Sequence, residues 1–170
     1  MKYIITALTF LVFFNTKIAQ DFNINSENAI VEFNYLVEEA FGTIKGVSGK
    51  IHFDISDLSK SSFEVSANIP SINTSNKTRD KHLNAKDYFY TEKYPAVIFK
   101  STSITADDDE FVLSGNMKIK EISKPENINF KFENNVFIGR CVIYSNDYNI
   151  HKRKTREDSK ILVKITVPVL

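Results

Sequence analysis

Ser71-Ile-Asn-Thr-Ser-Asn-Lys-Thr-Arg-Asp-Lys-His-Leu-Asn-Ala-Lys-Asp-Tyr-Phe-Tyr-Thr-Glu-Lys-Tyr-Pro-Ala-Val-Ile-Phe-Lys-Ser101 is the one long stretch in which apolar and polar residues stop alternating. Asn76 and Asn84 each suit the start of a short helix, because a side-chain oxygen can accept from the orphan N–H groups of a first turn. Asp87 follows Asn84 by three positions and adds negative charge where a helix dipole favours it. Tyr94-Pro95 ends any helix, since the residue before proline is pushed into an extended conformation. From Val97 the pattern of a strand resumes.

On both sides of this insert alternation dominates. Val31, Phe33, Tyr35 and Val37 alternate with Glu32, Asn34 and Leu36, and Val47, Gly49, Ile51 and Phe53 alternate with Ser48, Lys50 and His52. A turn is read over 38–42 between them. Phe63, Val65, Ala67 and Ile69 form the cleanest one-sided strand. After the insert come 97–105, an acidic turn at Asp107-Asp108-Asp109, and the alternating run Phe111, Leu113, Gly115, Met117, Ile119. Ile128, Phe130 and Phe132 lead into Asn134-Asn135, a two-residue hairpin turn built from a residue type that tolerates positive φ. The run 136–145 is apolar on both faces except for Arg140, 146–160 is polar, and Ile161, Val163, Ile165, Val167 and Val169 complete the chain. Eight strands joined mostly by short turns predict antiparallel neighbours. With one apolar face each, they fit a sandwich or a closed barrel, and only the barrel removes exposed edges.

The chain has 170 residues, enough for one domain with a sizeable core, and 14 Phe and 7 Tyr supply its aromatic content. A net charge of +1 does not suggest a nucleic-acid partner. Residues 1–20 read as a secretory signal: Lys2, then an apolar run over 3–14 that is too short for a spanning helix of about 20 residues. Cleavage is expected near Ala19 to Asp21, which leaves 21–170 as a single domain and places the protein in the periplasm or outside the cell. Cys141 is the sole cysteine, so no internal disulfide can form. It reads as a small buried hydrophobe.

Candidate chemistry is sparse. His52, His82 and His151 have no metal-ligand spacing, and neither a nucleophile elbow nor a phosphate-binding glycine loop is present. No metal or cofactor is expected. Asp80 could orient His82 for acid–base work, with Ser71 or Thr74 near in sequence. Equally, Arg79, Asp80 and His82 could tie the insert down through charge-assisted hydrogen bonds. The basic run Lys152, Arg153, Lys154, Arg156 could touch anionic lipid headgroups transiently, although Glu157 and Asp158 dilute it. The apolar phase of the strands carries Phe33, Val47, Ile51, Phe53, Phe63, Val65, Phe111, Leu113, Met117, Phe130, Phe132 and Ile165. Periodicity alone cannot separate a filled core from a lined cavity.

Ser71-Ile72-Asn73-Thr74, Arg79-Asp80-Lys81-His82-Leu83, Asp87-Tyr88-Phe89, Tyr94-Pro95 and Phe99-Lys100-Ser101-Thr102 resemble, in order and spacing, the signature of the YceI-like family of secreted bacterial proteins. The likeness extends more loosely over 21–170. It implies a mainly β fold: an eight-stranded antiparallel lipocalin-like barrel, with a short helical insert between the third and fourth strands. It also implies a non-enzymatic protein that holds a long-chain isoprenoid or other lipid inside. The apolar set above would then line the barrel, and Ser71, Thr74, Arg79 and His82 would serve the ligand's polar end at the mouth. Two departures stand out. Glu121 occupies the place of a family glycine within 117–125, and Asn146 and Asn149 replace an arginine and a glycine. A hydrolase or isomerase using Asp80 and His82, and a ligand-free stress-response or interaction module with a solid core, are the other classes the residues allow.

Overall fold

A computed structural model describes residues 20–170. The expected signal segment lies almost wholly outside the described residues. Ten strands form one antiparallel sheet: β1 (Gln20–Phe22), β2 (Ile30–Tyr35), β3 (Ala40–Ile44), β4 (Ser48–Phe53), β5 (Ser62–Asn68), β6 (Ala96–Asp107), β7 (Glu110–Ile119), β8 (Ile122–Glu133), β9 (Val136–Tyr144) and β10 (Lys160–Pro168). Their spatial order is β1-β4-β5-β6-β7-β8-β9-β10-β2-β3. Each strand finds its ladder partner within 20–170.

Three expectations are corrected here. The sheet has ten strands rather than eight. Its ladder curls without closing, so β1 and β3 are edges. The helix lies between the fifth and sixth strands, not the third and fourth. Both additional strands are short. β1 adjoins the signal-like run, and β3 occupies part of the stretch read as a turn. β3 carries Gly42, whose partner across the ladder is Phe33. The Phe33 ring packs so closely on Gly42 that a Cβ there would fall 2.4 Å from it. That contact compensates for a residue that otherwise weakens strands. Beyond β3, chain replaces a ladder partner: Thr43 and Asn73 exchange two 2.9 Å backbone hydrogen bonds, and Asn68 N–H donates to Lys45 O at 3.2 Å.

The long strands follow the alternation. β6 and β7 pair from Ile98↔Lys118 to Asp107↔Glu110, with a register shift at Ser101/Ser103. The acidic run supplies their turn, Asp108 taking φ +48°. Asn134 and Asn135 both take positive φ (51° and 60°) in the β8–β9 hairpin, as the dipeptide led us to expect. β8 begins six residues before Ile128. Pro125 lies inside it opposite Asn116, which hid that part of the strand from the pattern.

One end of the curl is solid. Phe53 packs edge-on against Phe63, Phe111, Phe130, Phe132 and Phe137, with ring centroids 5.3–6.2 Å apart. Phe132 and Phe137 stack at 4.2 Å. β1 adds Phe22, 5.1 Å from Phe132. Each such pair is worth about 0.5–1.5 kcal/mol beyond the area it buries.

The other end is covered by irregular chain. Helix α1 (Lys77–Asn84) starts at Asn76, whose side chain accepts from Arg79 N–H at 3.0 Å. A cap of this kind is worth about 1 kcal/mol. Asn84 caps no second helix: it donates to Asp80 O at 2.9 Å and accepts from the Thr91 hydroxyl at 2.9 Å, closing a run of turns. Leu83 and Phe89 pack on a second apolar cluster of Ile44, Ile69 and Ile72. The β9–β10 connection folds over the same end, anchored by Tyr148, which is fully buried.

Candidate functional site

Above the phenylalanine cluster the interior is hollow. A cavity of about 480 Å³ runs from Phe99, Met117 and Ile128 up to α1 and the β9–β10 connection. Its wall takes residues from β2 (Val31, Phe33, Tyr35), β3 (Ala40, Ile44), β5 (Val65, Ala67), β9 (Cys141, Ile143) and β10 (Ile161, Val163, Ile165), with Val47, Leu83 and Phe89. Such a volume and so apolar a wall are usual for a small-molecule site.

The structure divides the residues singled out from the sequence. Phe33, Val47, Val65, Met117 and Ile165 line the cavity. Ile51, Phe53, Phe63, Leu113 and Phe130 are buried below it, with Phe111 and Phe132 packed against them, in the solid half. At the rim, Thr74, Arg79 and His82 face the cavity. Ser71 does not; its hydroxyl donates to Asn68 O (2.6 Å) and accepts from Lys45 N–H (2.7 Å), tying β3 to the end of β5.

The rim is a small polar network. Asp80 accepts from the N–H and the hydroxyl of Thr74 at 2.8 and 2.6 Å. Arg79 donates through Nε to the Thr74 hydroxyl (2.9 Å) and through Nη2 to the Thr74 carbonyl (3.1 Å). Both charged groups therefore brace Thr74, and among the described residues no hydrogen bond joins Asp80 to His82 and no carboxylate lies within 4 Å of the Arg79 guanidinium. The bonds expected of Arg79 and Asp80 are present, but they hold Thr74, itself part of the insert, rather than tying the insert to the strands.

Across the mouth stands a group that the sequence did not bring together: Tyr35, Glu38, Tyr88 and His151. His151 stacks on Tyr88 (centroids 5.2 Å, 12°) and sits 3.9 Å from Glu38. Arg153 ion-pairs with Glu38 and donates to the Tyr35 hydroxyl at 2.6 Å. These residues come from the end of β2 and the turn after it, from the insert and from the β9–β10 connection, so no single local motif could have announced them together.

The two family departures have local explanations. Asn146 accepts from Arg153 N–H at 2.6 Å and donates to the carbonyls of Arg153 and Thr155, both at 3.1 Å, pinning the connection from within. Asn149 takes φ +52°, the left-handed conformation that a glycine would supply. In the β7–β8 turn the positive φ falls on Lys120 (57°), so Glu121 does not need glycine's freedom. The connection is also held by charge. Asp147 accepts from Arg156 at 2.7 Å, and this contact holds its carboxyl below the usual carboxylate range. A depressed carboxylate favours the native state above its unfolded pKa, and that favour fades as pH falls through the folded value.

Cys141 lines the cavity, and burial, helped by the Glu126 charge, pushes its thiol up from 9.0 to about 12. At that pKa the thiol stays protonated near neutral pH, and the thiolate is the reactive form. Native protein is expected to leave an aromatic disulfide reagent unconsumed at pH 8 over hours, and to react at once after unfolding. Fast reaction of the folded protein would place the thiol in contact with solvent.

The fold and the hollow together define a curled β-sheet protein with an internal apolar site and a polar mouth. Residues 22–169 match the YceI-like domain model, and the chain belongs to that family. It is 31% identical over 139 residues to protein YceI of Escherichia coli O157:H7, covering 77% of this chain and 73% of that protein. It is 36% identical over 89 residues to the UPF0312 protein plu2095 of Photorhabdus laumondii, a match that spans 46% of that protein and 52% of this chain. Among solved structures, BcnA of Burkholderia cenocepacia superposes with a TM-score of 0.77 at 17% identity, covering 85% of this chain and 98% of the other. A polyisoprenoid binding domain from Saccharophagus degradans, implicated in plant cell wall breakdown, gives 0.59 at 11% identity, covering 86% and 95%. At these identities the two structures speak for the fold alone.

Proposed function

We propose that the protein is an exported, non-catalytic carrier that holds the hydrocarbon chain of an isoprenoid or similar long-chain lipid in the cavity, with the lipid's polar end at the mouth. The observation that carries this reading is the division of the interior into a packed end and an apolar hollow of about 480 Å³ that opens on a polar rim. Burial of a hydrocarbon is worth about 0.8 kcal/mol per CH₂, so ten carbons bring roughly 8 kcal/mol before ordering costs. Such a guest needs few directional contacts. The ligand named for the Saccharophagus degradans domain supports the same class. Arg79, braced on Thr74 and facing the cavity without a carboxylate beside it, suits an ionised or strongly polar end group. The signal-like residues 1–20 support export.

The test is mass spectrometry of the native protein and of its organic extract, after expression in a bacterium that makes isoprenoid lipids. A lipid at close to one per chain is expected. Arg79→Gln should lower retention of guests with a charged end more than retention of neutral ones. Empty protein that also fails to take up an added fluorescent alkyl probe would overturn the carrier reading.

A further inference from the structure

The turn that joins β2 to β3 projects Leu36 and Val37 into solvent at 53% and 57% exposure. Solitary exposed aliphatic residues need no explanation. These two are adjacent, and they lie where the cavity opens, between Tyr35 and Glu38, which both line it. Glu38 turns away from this tip to pair with Arg153 and approach His151. The ion pair fixes the tip against the β9–β10 connection, where Lys152 and Lys154 are exposed and, among the described residues, have no carboxylate partner. On the opposite rim Lys81 and His82 of α1 are exposed as well. Glu39, beside the tip, and Glu157, in the connection, are exposed acidic residues. Glu38 and Asp147 are held by Arg153 and Arg156.

We propose that Leu36, Val37, Lys152 and Lys154 form a docking surface for an anionic lipid bilayer, which presses the cavity mouth against the membrane. The proposal rests on the carrier reading for its purpose but not for its observations. Two aliphatic side chains at a tip can enter the headgroup region, while unpaired lysines meet anionic headgroups around them. No other part of the described surface combines adjacent exposed aliphatics, unpaired lysines and the cavity opening. A mouth held there would let a hydrocarbon pass between bilayer and cavity without crossing water.

The experiment is flotation of residues 20–170, which contain every described strand and α1, with vesicles of phosphatidylglycerol and phosphatidylethanolamine, and separately with phosphatidylcholine vesicles. Without residues 1–19, the apolar run over 3–14 cannot anchor the protein. Binding to the anionic vesicles that weakens as salt rises is expected, with much less to phosphatidylcholine. Leu36→Ser with Val37→Ser should lower the partition coefficient at least tenfold. Lys152→Ala with Lys154→Ala should lower it at low salt and flatten the salt dependence. Both variants should keep the wild-type melting temperature and lipid content. Wild-type protein that carries lipid yet ignores anionic vesicles would overturn the docking surface and leave the carrier reading intact. So would flotation unchanged by the tip variant, or sedimentation showing the tip buried between two copies of the chain. Flotation that depends on the tip in protein whose cavity is empty would uphold docking and count against the carrier.

Discussion

Ala67→Phe is expected to reduce co-purifying lipid at least tenfold while leaving the protein folded. Ala67 sits on the inward phase of β5, opposite Val97 on β6, and lines the hollow. A phenyl ring there grows into empty volume, so it should cost less than the 1–3 kcal/mol typical of overpacking a filled core. It would occupy the space that the alkyl chain needs. The matched control is Leu113→Phe in the solid half, where Leu113 is 4% exposed among the aromatic rings. That change should cost the full 1–3 kcal/mol and leave lipid content unchanged in the folded fraction. Lipid extraction and thermal melting of both variants check the pair. Equal lipid loss in both, or none in Ala67→Phe, would count against the cavity as the place where the guest resides.

The largest stability effect is expected at Tyr148. Its side chain is fully buried, and its hydroxyl donates to Glu126 at 2.8 Å. Burial and that acceptor push the phenol well above its ordinary pKa, so it remains a donor throughout the working range. Tyr148→Ala removes a large aromatic from a site with no exposure, a change that costs about 3–5 kcal/mol. For a domain of this size that lowers the melting temperature by about 6–20 °C. Tyr148→Phe keeps the ring and loses only the bond to Glu126, a loss of about 1.5–3 kcal/mol for a charged acceptor. The order wild type, Phe, Ala is the expected result of urea titration. A Tyr148→Ala loss under 1 kcal/mol would mean that the β9–β10 connection is not anchored through this residue.

The strands that sequence made legible are those with clean alternation and a polar outer face, such as β5 and β7. The two it missed have physical reasons for being quiet. β1 has only three residues, and its inward Phe22 reads as chance. β3 follows Glu38 and Glu39 and contains Gly42, which together resemble a turn; only the distant Phe33 ring makes that glycine acceptable in a strand. Pro125 concealed half of β8 in the same way. Closure was over-read, because eight one-sided strands imply a barrel only if the first and last can pair. Here Asn73 meets β3, and Asn68 meets Lys45 just beyond it, instead. At the site, Thr74, Arg79 and His82 were accessible to sequence because they sit in one short insert. Tyr35, Glu38 and His151 were not, since only the fold brings them to one mouth. Nor could alternation foretell that Phe33 would face open space while Phe53, on the same phase, would be packed among five rings.

The phenylalanine cluster beneath the hollow makes the interior a blind alley. In the carrier proposed above, a guest would thread in tail first and back out along the same path, because stacked rings stop the far end. Its head would then wait at the threshold throughout, and whatever takes delivery would meet that head before any of the tail.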